Sequence, residues 1–437
     1  MLKLYNTLSR KPEELKPIKG KEFLIYNCGP TVYDYAHIGN LRTFTLQDLL
    51  RRYLEFKEYK VNQVLNITDV DDKTINGAKQ NSMELKEFTK KYFEEFEKDI
   101  QALGIKKPSK IVFATQEISE MIKLIQKLLD KKIAYKTSDG VYFDISKFKE
   151  YGKLSKLKLK KLKVGARVDV DSYEKNEARD FALWKAWQEN DGKVFWEAPF
   201  GKGRPGWHLE CSAMSLKYLG EKFDIHGGGV DLIFPHHENE IAQSESITGK
   251  EVVRHWFHSN HLIVNGRKMS KSLGNFYTLR DLKDYSARAV RLLFISANYR
   301  DELNFTFGSL AQAQKTIEGF DELMQKLLSI ENTEKENEQI KKIIEKARQD
   351  FEKNLDNDLD TPKMIAGLHA FAKNVNKLFD EQKISKKDSQ KLISFFKKLN
   401  EVLCIFEFGF EQEKLSSEEK ELLEKRERLR KEKKFKE

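Results

Sequence analysis

Residues 268–275 read Lys-Met-Ser-Lys-Ser-Leu-Gly-Asn, and they decide which fold the rest of the chain is expected to adopt. The two lysines stand three residues apart with a serine on either side of the second, so both ammonium groups can face one polyphosphate. A second segment with a phosphate-binding pattern, His37-Ile38-Gly39-Asn40, lies far upstream. Either segment alone is compatible with a solvated turn. Together they favour phosphate binding over two solvated turns.

The residues around the upstream segment predict a strand–helix–strand unit. Residues 22–28 have the pattern of a short buried strand that runs into a Gly-Pro turn. Residues 41–56 repeat apolar side chains at helical spacing, and residues 60–68 alternate as a strand does. This order is the unit of a parallel sheet, which binds ligands at the carboxyl ends of its strands. A further helix is expected over 82–103.

The fold class expected for the whole chain is α/β, with a Rossmann-like parallel-sheet domain, an inserted connective subdomain and an α-helical bundle after them. The second half of the sheet domain is expected to contain strands over 223–226 and 261–264, and a bundle helix is expected to begin with Thr361 as its cap. The expected boundaries are 1–109 for the first half of the sheet domain, 110–177 for the insertion, 178–275 for the second half, 276–310 for a junction and 311–437 for the helices.

Composition limits the class of protein. The 437 residues contain 39% hydrophobic and 11% aromatic residues, which are globular values. Lys+Arg 79 against Asp+Glu 69 gives a net charge of +10, which favours a polyanionic partner or only serves solubility. The lysine-rich run at 153–163 has the same two interpretations. With three cysteines, no signal peptide and no apolar run of transmembrane length, we expect a cytoplasmic protein without disulfides and without membrane contact.

Four residues have the chemistry of metal ligands. His236 and Glu240 stand four apart in a segment that reads as a helix beginning near Pro235, so both lie on one helix face. Cys28 ends the first predicted strand, and Cys211 begins a probable helix. Their separations exclude a local zinc finger. They can share a metal only if the two halves of the sheet domain face each other, whereas lone cysteines are more often buried small hydrophobes.

Seven segments together resemble the cysteinyl-tRNA synthetase family, which is part of class I of the aminoacyl-tRNA synthetases. They are YNCGPTVYDYAHIGNLR (26–42), ITDVDDK (67–73), DFALWK (180–185), GRPGWHLECSAM (203–214), DIHGGGVDLIFPHHENEIAQ (224–243), KMSKSLGN (268–275) and NDLDTPKM (357–364). The resemblance implies one zinc ion per chain, held by Cys28, Cys211, His236 and Glu240. His237 and Glu238 are the alternatives within the HHENE segment. A zinc ion would select the cysteine thiol, since zinc prefers a soft thiolate to a hydroxyl.

The resemblance also implies the reaction. ATP and L-cysteine would form cysteinyl-adenylate, and the cysteinyl group would pass to tRNA(Cys). The catalytic residues implied are His37, Asn40, Lys268 and Lys271, with Mg²⁺ accompanying ATP. Gly39, the triplet Gly227, Gly228 and Gly229, and Asp231 would bind ATP with the two lysines. The substrate cysteine would lie against Gly29, Thr68, Trp207 and His226. Asp69, Asp71 and Asp72 would position the substrate amine or tRNA, or only cap a helix, and we favour capping.

Two features depart from the family pattern, and two other functions remain as alternatives. Asn40 stands where the class signature has histidine, although an asparagine also donates to phosphate oxygens. The chain ends within what resembles the helix entering a small anticodon-recognition module, so that module is expected to be incomplete. The rivals are a ligase that transfers cysteine to an amino-sugar and an idle RNA-binding paralogue. We expect a monomer whose junction contacts the tRNA stem and whose helices bind the anticodon arm.

Overall fold

The computed structural model of the chain describes residues 1–156, 167–168, 179–331, 335–410 and 425. Most of the lysine-rich run, from residue 157 onward, and the C-terminal segment expected to enter a further module lie outside the described residues. In the part of the chain that is described, no helix is both long and apolar enough to cross a membrane.

Strands and helices alternate through the first part of the chain and give way to helices in the last part. From the N-terminus the elements are β1 (Lys3–Asn6), β2 (Lys11–Glu14), β3 (Glu22–Asn27), α1 (Ile38–Phe56), β4 (Lys60–Ile67), α2 (Asp72–Gln80), α3 (Leu85–Ala102), β5 (Lys110–Phe113), α4 (Ile118–Asp130), β6 (Ala134–Lys136), β7 (Gly140–Phe143), β8 (Arg167–Val168), β9 (Asp180–Ala186) and β10 (Gly203–Pro205). They continue with α5 (Trp207–Leu219), β11 (Phe223–Gly229), α6 (Glu238–Thr248), β12 (Val253–Ser259), β13 (Leu262–Val264), β14 (Arg267–Lys268), α7 (Ala287–Phe294), β15 (Leu303–Phe305), α8 (Phe307–Leu328), α9 (Glu338–Asp356), α10 (Thr361–Asp380) and α11 (Lys386–Leu403).

Among the described strands, five form a parallel sheet in the order β12-β11-β3-β4-β5. Among the five strands of this sheet, β3 comes first in the chain and β11 comes fourth. These two strands lie next to each other, as they do in the doubly wound fold. The strand order therefore reverses between β3 and β11, and ligands of such sheets bind at the carboxyl ends beside this point. The predicted Rossmann-like fold is confirmed.

The two faces of this sheet carry separate hydrophobic cores. Ile25 and Leu65 belong to a core shared with α1 and the C-terminal helices. Their neighbours Tyr26 and Val64 belong to a core shared with α4, α5 and the second sheet. Successive side chains of a strand point to opposite faces, so a strand buried on both faces has no polar side. The near-continuous apolar pattern of residues 22–28 follows from this double burial.

A second sheet in the order β10-β9-β7-β6 forms the insertion, with β8 paired to β9. Its strands cross the boundary expected at residue 177, because β9 and β10 pair with it and not with the central sheet. At the other boundary, β5 pairs with β4 beyond residue 109. We therefore propose that the first half of the sheet domain extends to Phe113 and that the insertion includes β9 and β10.

The C-terminal helices α8 to α11 pack against each other and against α1. The start of α10 differs from the prediction: Asp360 is the cap, and its carboxylate accepts the backbone N–H of Lys363. Thr361 is the first helical residue, so its assignment as the cap was wrong by one position. Aspartate and threonine are both good caps, and the pattern of residue types alone did not separate them.

A buried ion cluster joins the sheet domain to the C-terminal helices. The Asp48 carboxylate on α1 accepts hydrogen bonds from Arg52 at 2.7 Å and Arg291 at 2.6 Å. Arg291 also donates to the carbonyls of Leu103 and Leu403, at the ends of α3 and α11. Because Arg291 and Asp48 are almost fully buried, each charge depends on the other for compensation.

We expect Asp48→Asn to lower the free energy of unfolding by about 3 kcal/mol, because the two arginines then lose their buried counter-charge. Calorimetric melting of the full chain measures the loss. Glu345→Gln is the control, since the Glu345–Arg348 pair lies on the exposed face of α9. An equal melting temperature for Asp48→Asn and wild type would contradict the conclusion that this ion cluster stabilises the contact between the sheet domain and the C-terminal helices.

Candidate active site and metal centre

The segment at 37–40 forms the start of α1, at the carboxyl end of β3. His37 is the helix cap, and its Nδ1 accepts the backbone N–H of Asn40 at 3.1 Å. Burial lowers the pKa of His37 to about 4, although the charge of Asp231 acts in the opposite direction. The imidazole is therefore neutral at neutral pH, as an acceptor at Nδ1 requires. The dipole of α1 favours an anion at this end of the helix.

The segment at 268–275 lies directly against this helix start. The N–H of Ile38 donates to the carbonyl of Tyr277 at 2.9 Å, just beyond the loop. A Cβ on Gly39 would lie 3.4 Å from the Met269 side chain and 3.0 Å from the His37 ring. Lys268 ends β14, and Lys271 is ion-paired with Asp34. The two signature segments thus meet, as the sequence predicted for a shared polyphosphate.

The glycine triplet differs from its predicted form. The strand expected to end at His226 continues through Gly229 as β11, paired with β12 on one side and with β3 on the other. A Cβ on Gly227 would lie 2.4 Å from the Asn27 side chain, and one on Gly228 would lie 2.8 Å from the His237 ring. Glycine is required here because side chains from neighbouring elements come so close.

The metal-ligand candidates come together in the crevice between β3 and β11. Ligand atoms of Cys28, Cys211, His236 and Glu240 all lie within 4.8 Å of one another, and all four residues are buried. The two sulfur atoms are 3.7 Å apart, and Nε2 of His236 is 3.1 Å from a Glu240 oxygen. Residues 233–237 are helical apart from Phe234 and run directly into α6, so the helical stretch begins near Pro235 as predicted, and His236 and Glu240 face the same side.

The arrangement fits a zinc ion. Two thiolates bound at about 2.3 Å in tetrahedral geometry lie about 3.8 Å apart, which matches the sulfur separation. Burial raises the pKa of Cys28 well above its ordinary value. Burial also opposes ionisation of Cys211 and Glu240, but hydrogen bonds from Cys28 and His236 lower the pKa of Cys211 to about 6. His226 and His236 lower that of Glu240 to about 2. Burial opposes a charge on His236, but Glu240 and Cys211 raise its pKa to about 10, so the two anionic groups are compensated by a cation in this cluster, either the His236 imidazolium or a metal ion in its place.

The alternative ligands of the HHENE segment behave differently from each other. Cys28, His226, His237 and Glu240 form a second group of the required compactness. Nε2 of His237 is 3.2 Å from the Cys28 sulfur, while its Nδ1 is 2.7 Å from His258. The Glu238 carboxylate accepts the backbone N–H groups of Gly152, Leu154 and Ser155 instead. His237 therefore stays an alternative ligand, whereas Glu238 anchors the insertion.

The predicted substrate residues border the same crevice. The Trp207 ring stacks on His236 with centroids 4.2 Å apart, and His226 is 2.8 Å from Glu240. The Thr68 hydroxyl donates to the buried Glu210. A Cβ on Gly29 would lie 1.6 Å from the Asn66 carbonyl oxygen, so no side chain fits at that position.

The three aspartates after β4 have separate roles. Asp71 caps α2 by accepting the N–H of Thr74, as the preferred interpretation predicted. Asp72 lies in the first turn of α2 and pairs with Lys185 and Arg204 of the insertion. Asp69 accepts the N–H and hydroxyl of Thr115, in the 3-10 turn after β5.

Comparison with known proteins gives the family. The model of the "tRNA synthetases class I (C) catalytic domain" matches residues 14–315, and that of the "DALR domain" matches residues 350–407. The Cysteine--tRNA ligase of Protochlamydia amoebophila is 45% identical over 99% of this chain and 91% of its own length. That of Brachyspira hyodysenteriae is 46% identical over 99% and 93%. The chain belongs to the cysteine–tRNA ligase family.

Solved structures of other class I synthetases share the fold of this ligase. Methionyl-tRNA synthetase from Mycobacterium tuberculosis in complex with methionyl-adenylate aligns with a TM-score of 0.63 at 13% identity, over 88% of this chain and 89% of that chain. The Agrobacterium radiobacter K84 LeuRS-tRNA-LeuAMS complex aligns with a TM-score of 0.64 at 12% identity, over 90% and 85%. The enzyme class and the fold class predicted from the sequence are confirmed.

Sequence reasoning missed the buried groups around the candidate metal ligands. Nδ1 of His208 is 3.0 Å from Nδ1 of His236, and the Trp256 ring stacks on His226. Trp256 and His258 lie two apart on β12, so both point to the metal side of the sheet. That period-two spacing was the available signal, but it identifies a face only once the strand has been placed.

We expect Cys211→Ala to lose most of its bound zinc, because one of the four tetrahedral ligands, and one of the two thiolates, is then missing. Metal content of the purified protein, measured by mass spectrometry, checks this. Cys404→Ala is the matched control, since Cys404 caps α11 away from the crevice and should leave zinc content unchanged. Full zinc content in Cys211→Ala would shift the assignment to the second ligand group.

Proposed function

We propose that this protein ligates L-cysteine to tRNA(Cys) with ATP, through a cysteinyl-adenylate, and releases AMP and pyrophosphate. The observation that carries the proposal is the meeting of three features at one switch point. The helix start at His37 and the loop at 268–275 adjoin each other, and the buried Cys28–Cys211–His236–Glu240 cluster lies at the carboxyl ends of the adjacent strands. A phosphate site beside a thiophilic site suits the activation of cysteine.

Amino-acid selection rests on the metal centre. Cys28, Cys211, His236 and Glu240 would hold one Zn²⁺, which when bound supplies a soft Lewis acid that prefers the cysteine thiolate to the serine hydroxyl. Trp207 stacks on the ligand His236 and would cover the substrate side chain. His226 holds the ligand Glu240 in place. Thr68 and Gly29 border the remaining space for the amino and carboxyl groups of cysteine.

Activation needs positioning and charge stabilisation rather than a general base, because the attacking cysteine carboxylate is already ionised. His37 and Asn40 would contact the phosphates at the start of α1, where the helix dipole favours them. Gly39 would let adenine approach the backbone, the triplet at 227–229 would receive the adenosine, and Asp231 would accept its ribose hydroxyls. Mg²⁺ would accompany ATP.

The two loop lysines would hold the β- and γ-phosphates and the departing pyrophosphate. Lys271 is paired with the Asp34 carboxylate, and its ammonium also lies 5.2 Å from the centre of the Phe276 ring. A polyphosphate carries more negative charge than one carboxylate, so ATP would displace Asp34 from Lys271. Asp34 thereby keeps the lysine oriented toward the crevice before the nucleotide arrives.

The helical part would bind tRNA(Cys), mainly through phosphate contacts, with the junction at 276–310 on the stem and the helices after 311 on the anticodon arm. Class I membership favours attack by the 2′-hydroxyl of the terminal adenosine. The match of residues 350–407 to the DALR domain supports tRNA over an amino-sugar acceptor. The proposal includes a monomer in the cytoplasm, where reducing conditions keep Cys28 and Cys211 as thiols.

Aminoacylation of total tRNA by the purified full chain tests the function directly. We expect ATP-dependent charging with labelled cysteine and only background charging with serine, because the zinc site distinguishes sulfur from oxygen. Cysteine-dependent pyrophosphate exchange without charging would favour the amino-sugar ligase. Silence in both assays, for folded protein with bound zinc, would leave the RNA-binding paralogue.

We expect Lys271→Ala to lower the rate of cysteine-dependent pyrophosphate exchange at least about 100-fold, because it removes a cation from the transferring phosphates. The KM for cysteine should stay near the wild-type value, since the thiol site lies apart from the loop. Lys283→Ala removes a nearby exposed lysine outside the loop and should retain full exchange. Equal rates for the two variants would contradict the role of Lys271.

A further inference from the structure

A cavity of about 610 Å³ lies beside the adenylate crevice, at the carboxyl ends of β4 and β5. One wall is the first half of α3, which contributes Lys86 and Phe93. The end of β5 contributes Phe113, and the loop at 193–196 of the insertion contributes the opposite wall. The volume is that of a ligand pocket, and no residue of the reaction proposed above explains it.

The walls of this cavity are held in place by contacts of their own. Asp69 fixes the base of the cavity by accepting the N–H of Thr115 at 2.9 Å and its hydroxyl at 2.6 Å. The rings of Phe93 and Phe113 meet edge to face, with their centroids 4.9 Å apart. On the loop, Trp196 exchanges both backbone hydrogen bonds with Gly203 of β10. The cavity is therefore formed before any ligand arrives.

The lining combines aromatic faces with cations. Phe195 is 36% exposed, which is high for a large apolar side chain, and it lies next to Trp196 in the lining. Lys86 and Lys193 stand at opposite walls. Aromatic rings stack on bases and lysines contact phosphates, and this combination is typical of sites for single-stranded nucleic acid. The exposed acidic lining residue Glu84 can accept a hydrogen bond from an exocyclic base amine.

The position of the cavity agrees with this chemistry. The adenylate crevice lies between β11 and β3, and the cavity lies between β4 and β5 in the same sheet. Neighbouring strands are about 4.8 Å apart, so the two sites are separated by about 10 Å along the carboxyl edge. An RNA strand with its terminal nucleoside at the adenylate covers that distance with its next one or two nucleotides.

We propose that this cavity binds one unpaired nucleotide of the tRNA 3′ strand, immediately before the terminal adenosine, with its base on Phe195 and Trp196 and its phosphate on Lys193 or Lys86. The inference rests on the proposed aminoacylation. It adds a site at which the insertion and the sheet domain together grip the acceptor end. The gripped nucleotide fixes the direction from which the terminal hydroxyl enters the crevice.

Binding of two RNAs to the full chain tests the site: intact tRNA(Cys), and the same transcript without its unpaired 3′ nucleotides. We expect Phe195→Ala to weaken binding of intact tRNA about tenfold, because a stacking platform is lost, and to leave binding of the shortened RNA unchanged. Lys193→Gln should weaken intact tRNA about threefold and make its affinity less dependent on salt. Melting curves confirm folding, and Lys193→Gln on the exposed loop keeps the test decisive if Phe195→Ala unfolds.

Ile18→Ala is the control, because Ile18 is a similarly exposed apolar residue (40%) that contacts Asp224 at the start of β11, away from the cavity, the junction and the helices. It should affect both RNAs equally or not at all. Equal loss for both RNAs in Phe195→Ala and Lys193→Gln, or no loss in either variant, would overturn the proposed nucleotide site. Pyrophosphate exchange by wild type separates the two hypotheses: its absence sinks the proposed activity, whereas normal exchange with unchanged RNA binding sinks only this site.

Discussion

Strands β3 and β11 are joined by backbone hydrogen bonds across a separation of about two hundred residues in the chain, and the site depends on this parallel pairing. The register places Gly227 beside Asn27, so Cys28 leaves β3 where β11 passes into the segment that carries His236. The N–H of Cys28 donates to the carbonyl of Gly227 at 3.2 Å. Because one strand comes from each side of the insertion, the cluster of candidate metal ligands forms only when both halves of the sheet domain have assembled.

The electrostatics of the crevice follow from that assembly. Thiols, imidazoles and a carboxylate are buried together, which is unfavourable unless opposite charges or a cation compensate them. Burial and neighbouring histidines lower the pKa of His237 well below its ordinary value, and burial lowers that of His258 to about 3. These rings therefore stay neutral and act as hydrogen-bond partners that orient the ligands. The sheet supplies the positions, and the neutral histidines limit the positive charge in the crevice.

Local patterns predicted the parts of this molecule that depend on neighbours in the sequence. The strand–helix–strand unit and the loop lysines could be read directly, whereas assembly of the metal ligands was an expectation from the family resemblance. The end of β11 could not be read, because glycine disfavours strands and only pairing with Phe257 and Asn27 on its two sides extends the strand through Gly227. Arg291 was also beyond reach, since its partners are carbonyls at the ends of two distant helices. The cavity beside β5 is lined by ordinary residue types from several separate segments, so the pattern of no single segment predicts it.

Helix α3 links the two ends of the proposed reaction. Near its C-terminus, Asp99 accepts two hydrogen bonds from Arg280, in the turn that follows the lysine loop. Arg280 also lies over the ring of Tyr35, just before the helix start at His37. Near its N-terminus, Lys86 and Phe93 form a wall of the cavity. A continuous helix keeps its ends at a fixed separation, so the element that anchors the turn after the loop at 268–275 also sets the position of the cavity relative to the proposed phosphate site. One rigid element thus relates the geometry of the proposed activation to that of the proposed acceptor site.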